Sequence, residues 1–67
     1  MNQDTLQGMW KQLKGEVKKN WGELTDDEVD QIQGHRDVLV GKLQEKYGYT
    51  KSRAEQEVND FLAEYES

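Results

Sequence analysis

His35 is the one histidine of the sequence, and an imidazole can ligate a metal or carry a proton near neutral pH. A zinc site needs two or three further nitrogen, oxygen or sulfur ligands converging on it. Asp37 stands two residues away, off the same helical face, and no cysteine is present to add a thiolate. His35 therefore reads as a solvated residue at a helix boundary. Ser52 and Ser67 have no histidine placed near them by any spacing, so neither has a base to activate it. Asp26, Asp27, Glu28 and Asp30 crowd carboxylates as a calcium loop does, yet the ligand order, central glycine and terminal glutamate of such a loop are missing. These acids instead suit the positive end of a helix. We expect no catalytic residue, no metal, no cofactor and no enzyme.

Lys11, Lys14 and Lys18 are the remaining candidates. On a helix they lie within about 60° of one another, beside a stripe containing Trp10 and Val17. Lysines flanking an aromatic stripe can rest on an anionic membrane or touch nucleic-acid phosphates. The plainer reading is that the stripe is core and the lysine stems cover its edge with their ammonium groups in water. The candidate site is thus an anion-surface contact at Lys11, Lys14 and Lys18. The net charge of −5 speaks against a general nucleic-acid binder. Charge is uneven, however: residues 1–22 carry four lysines against two acids, and residues 23–67 carry five bases against twelve acids.

These side chains need elements to position them. At 67 residues the chain fits one domain, 1–67, with a marginal core and mobile ends. Met1–Thr5 shows no basic segment leading into an apolar stretch, and the longest apolar run is Val38-Leu39-Val40. A cytoplasmic monomer without a transmembrane segment is expected, with no partner identified.

There is no proline; glycine and threonine punctuate the chain. Leu6, Trp10, Leu13, Val17 and Trp21 fall within about 80° of a helical circumference, which predicts a first helix over 4–20 with Gly22 as its left-handed end. Thr25-Asp26-Asp27-Glu28 reads as a capping box opening a short second helix that carries Val29 and Ile32 and stops at Gly34. A third helix over 35–46 spreads Val38, Leu39, Val40, Leu43 and Tyr47 over about 200°, which places it centrally among its neighbours. Gly48 ends it and Thr50 caps a fourth, whose narrow face of Ala54, Val58, Phe61, Leu62 and Tyr65 marks an outer position. Leu13, Gly15, Val17, Trp21 and Gly22 recur 26 residues later as Leu39, Gly41, Leu43, Tyr47 and Gly48. An approximate duplication of a helical hairpin explains the recurrence, and Gly15 and Gly41 are candidates for close helix approach.

Trp10-Lys11-Gln12-Leu13-Lys14-Gly15, Val17-Lys18, Trp21-Gly22 and Leu24-Thr25-Asp26-Asp27 resemble the first half of the CsbD-like family of small bacterial stress proteins. Gly34, Arg36-Asp37, Leu39, Gly41-Lys42-Leu43-Gln44, Tyr47-Gly48 and Ala54-Glu55 resemble the second half. The match runs from Asp4 to Val58; beyond it the last helix rests on periodicity alone. The resemblance implies an all-α, compact bundle of about four short helices in two crosswise hairpins, similar to a SAM domain. It also implies a bacterial cytoplasmic protein of the general stress response, and carries over no catalytic residue, cofactor or partner.

Overall fold

The computed structural model describes residues 3–66. The mobile ends expected above concern residues 1, 2 and 67, outside the described residues, as is Ser67. Five helices follow one another: α1 (Gln3–Gly8), α2 (Trp10–Asn20), α3 (Asp26–Ile32), α4 (Arg36–Tyr47) and α5 (Lys51–Glu66). The chain is all-α among the described residues, and its radius of gyration of 10.6 Å is close to the ~11 Å of a compact chain this long. One apolar core collects side chains from all five helices.

The expected first helix is two helices. The chain breaks at Met9, with φ −112° and ψ 17°, directly after Gly8. The Met9 amide still donates to the Thr5 carbonyl at 3.1 Å, and the Met9 carbonyl accepts from Gln12 and Leu13 to start α2. The reason is tertiary. α1 must bring Leu6, which is fully buried, against α4 and α5, whereas α2 lies along α3. A straight helix cannot serve both neighbours, and glycine at the joint weakens helical continuation. Trp10, on the α2 side of the break, is only half-buried and packs on the rim of the core.

The capping box is formed in full. The Glu28 amide donates to Thr25 Oγ1 at 3.2 Å, and the Thr25 amide donates to Glu28 Oε1 at 3.0 Å. α3 turns its two buried residues, Val29 and Ile32, inward and ends in two successive left-handed residues, Gln33 (φ 47°) and Gly34 (φ 82°). Gly34 is also the point where α1 touches this turn, since a Cβ there would stand 2.7 Å from the Gln7 Cα. His35 then caps α4 from an extended backbone without a side-chain hydrogen bond.

α4 is central, as its wide stripe predicts: it packs on α1, α3 and α5 and buries Leu39, Val40 and Leu43. Gly48 ends it in the left-handed region, and Thr50 Oγ1 accepts from the Arg53 amide at 3.1 Å to open α5. The turn between them is fastened by a stack in which the Arg53 guanidinium covers the Tyr49 ring, itself stacked on Tyr47 at 5.2 Å. The Tyr47 hydroxyl accepts from the Glu23 amide at 3.1 Å, joining this turn to the one after α2. α5 buries Ala54, Val58, Phe61 and Leu62 on one face, matching its expected outer place.

Two glycine expectations are corrected. Gly22 is not left-handed; the described positive-φ glycines are Gly34 and Gly48. α2 ends because Trp21 leaves helical geometry (φ −124°, ψ 80°) and buries its ring 5.0 Å from Phe61. Burial of the indole replaces the glycine stop. Gly15 and Gly41 do not mediate close approach either: both are exposed, and an added Cβ would meet nothing within 4 Å. Each therefore weakens its helix without a packing return. Gly41→Ala is expected to raise stability by about 0.5–1 kcal/mol, read as a higher urea midpoint at unchanged slope. A lower midpoint would mean that something other than helix propensity acts there.

Candidate functional site

α2 and α3 lie side by side because the connection between them, residues 21–25, is short and buries Trp21 and Leu24. This places the lysine side of α2 opposite the acids of α3. Lys14 Nζ lies 2.8 Å from Asp30 Oδ1, and Lys18 Nζ lies 3.0 Å from Asp26 Oδ1. All four side chains remain substantially in water. A groove of about 400 Å³ runs between the helices, lined by Lys14, Gly15, Lys18, Asp26, Val29 and Asp30. Lys11, one turn earlier, is exposed and carries no ion pair among the described residues. Of the three lysines expected to share one anion contact, two thus face carboxylates of the chain itself and one faces solvent.

The carboxylates that crowd the start of α3 are dispersed by the helix. Asp26 and Asp30 reach α2, while Glu28 turns the other way to Lys46 of α4, with Oε2 3.1 Å from Nζ. The Thr25 amide, and after it the Lys46 ammonium, hold the Glu28 carboxyl below its ordinary value against a burial that pushes it up. Among the described residues no three His, Cys, Asp or Glu side chains are grouped so as to hold a metal ion. His35 is half-buried, and its amide closes the α3–α4 turn on the Ile32 carbonyl at 2.9 Å. Ser52 is exposed in the first turn of α5.

The counter-ions of the lysines are what sequence reasoning missed. The signal was available: Lys14 and Lys18 are four apart, as are Asp26 and Asp30. In two antiparallel helices joined by a short loop, such spacings pair 14 with 30 and 18 with 26.

Glu28 makes this edge acid-sensitive. Its folded carboxyl holds its proton less tightly than the unfolded one, so the unfolded chain gains protons first as pH drops. The stability it contributes is present above its ordinary value near 4.5 and is lost as pH falls through the lowered folded value. The melting midpoint is expected to decline over that acid range, and Glu28→Gln to flatten part of the decline. A variant with the wild-type acid slope would remove Glu28 from the cause.

The fold and this edge define a small all-helical protein whose α3 is bracketed by lysines of its neighbours. The family model described as CsbD-like matches residues 4–56. UPF0337 protein PA4738 of Pseudomonas aeruginosa is 59% identical over 61 residues, covering 91% of this chain and 94% of the relative. UPF0337 protein YjbJ of Escherichia coli K12 is also 59% identical over 61 residues, covering 91% of this chain and 88% of the relative. The chain belongs to the CsbD-like family. No described helix is long and apolar enough to cross a membrane.

Proposed function

We propose that this chain is a non-enzymatic protein of the bacterial general stress response, acting in the cytoplasm as a monomer of one domain, 1–67. Membership of the CsbD-like family carries the reading. The geometry supports its non-catalytic part: Lys14 and Lys18 engage Asp30 and Asp26 between α2 and α3, and Glu28 engages Lys46 of α4. Its action is by abundance or by holding a partner. The test is the amount of the protein in its own cells, measured by isotope-dilution mass spectrometry. A rise of several-fold on entry to stationary phase or after osmotic shock is expected. Equal amounts in exponential, stationary and shocked cells would overturn the reading.

A second reading is a binding module for an anionic membrane surface or nucleic acid at Lys11, Lys14 and Lys18. One observation favours it: Lys11 is exposed beside the half-buried Trp10 and has no ion pair among the described residues. The reading ranks second because Lys14 and Lys18 would have to leave Asp30 and Asp26 to reach a phosphate. Polyanion binding that weakens with salt and is lost in Lys11→Ala would raise it to first.

A further inference from the structure

α3 is attached to its neighbours differently from the way α4 and α5 are attached to each other. It has seven residues, too few to be helical on its own, and buries only Val29 and Ile32. Four of its polar side chains are held by four lysines, two from each flanking helix. From α2, Lys18 takes Asp26 and Lys14 takes Asp30. From α4, Lys46 takes Glu28, and Lys42 donates to Gln31 Oε1 at 2.7 Å. By contrast α4 and α5 pack on each other and bury Leu39, Leu43, Val58 and Leu62 in the common core, with Arg36 donating to the neutral Asn59 amide and the Glu55 carbonyl.

The two kinds of attachment respond unequally to salt. The Asp26 side chain is 84% exposed, and Lys14 and Asp30 are each about half exposed, so mobile ions reach the pairs. The screening length shortens from about 10 Å at 0.1 M to about 3 Å at 1 M, while burial of apolar side chains is not weakened by screening. Each of these two exposed pairs contributes little alone, but both converge on one short helix. The more enclosed Glu28–Lys46 pair, with side chains 16% and 33% exposed, adds a third that ions screen less.

We infer that α3 is a latch closed by a clasp of lysines, which opens as ionic strength rises and uncovers Val29 and Ile32 while α4 and α5 stay packed. The open form would present apolar surface that the closed form hides. Neither the stress role nor the family membership is needed for this inference.

Native-state amide exchange on the ¹⁵N-labelled full chain tests it, comparing the amides of Val29 to Ile32 with those of Leu39 to Leu43 in 0.05 M and 1 M NaCl. Protection in α3 is expected to fall about tenfold, and that in α4 less than about twofold. The triple variant Lys14→Gln, Lys18→Gln, Lys46→Gln is expected to show weak α3 protection at both salt levels and no salt response. The inference is overturned if α3 protection ignores salt, if α3 and α4 lose protection in step, or if the triple variant keeps the response. A triple variant that does not fold at all also overturns it, because the lysines would then hold the whole core rather than α3.

Discussion

Gly34→Ala is expected to destabilise the protein by about 3 kcal/mol. Two independent costs meet at this residue. With φ at 82° the backbone lies in the left-handed region, where a Cβ costs roughly 1–2 kcal/mol. The same Cβ would stand 2.7 Å from the Gln7 Cα and 3.3 Å from the Gln7 nitrogen, both backbone atoms that cannot rotate away. Relieving that contact pushes α1 off the α3–α4 turn, at a further cost of about 1–3 kcal/mol as for other overpacked sites. Gly48 provides the control: its φ is 69°, yet a Cβ there would meet nothing within 4 Å. Gly48→Ala should therefore cost only about 1–2 kcal/mol. Urea melts of the two variants separate conformational strain from close approach. Equal losses would show that α1 does not sit on Gly34.

Leu39→Ala is the second large effect, with an expected loss of about 2–5 kcal/mol. Leu39 is 0% exposed on α4, the helix that touches α1, α3 and α5 together. Removing its side chain opens a cavity from which no neighbour can withdraw without breaking contact with another, so collapse is limited. Val38, half-buried one position earlier, should cost about 1 kcal/mol or less as Val38→Ala, since much of its surface is already in water. A domain of this size has a few kcal/mol in hand, so Leu39→Ala should be largely unfolded at 37 °C by circular dichroism. A cooperative melt within a few degrees of wild type would contradict the central placing of α4.

The parts of the fold legible in the sequence are those written locally. Thr25 and Glu28 identify a capping box from their spacing alone, and the structure forms both of its hydrogen bonds. Gly48 followed by Thr50 marks the α4–α5 turn, and the breadth of the α4 stripe foretells a central helix packed on more than one neighbour, which the structure makes three. The parts not legible depend on which helix meets which. The Leu6-Trp10-Leu13-Val17 spacing runs unbroken through Met9, because the Met9 amide keeps its bond to Thr5 and the register barely slips. Only the need to lay α1 on α4 and α5 breaks the helix there.

Trp21-Gly22 and Tyr47-Gly48 look alike as sequence and behave differently for a similar reason. Trp21 finds Phe61 to pack on and leaves its helix early. Tyr47 is the last residue of α4, its hydroxyl bonded to the Glu23 amide, and the glycine after it makes the turn. The candidate site shows the same division. Lysines beside an aromatic stripe are visible on α2, but their engagement follows from α3 lying antiparallel to it, a tertiary fact that the matched four-residue spacings only hint at.

The basic side of α2 is engaged with the chain's own α3 through Lys14 and Lys18. An amide NMR titration at low salt, once with vesicles of anionic phospholipid and once with duplex DNA, tests it most directly. The structure predicts unchanged peaks along α2, with Lys14 and Lys18 still on Asp30 and Asp26. Shifts or broadening centred on Lys11, Lys14 and Lys18, reversed by added salt, would contradict it and make α2 the contact surface for a polyanion.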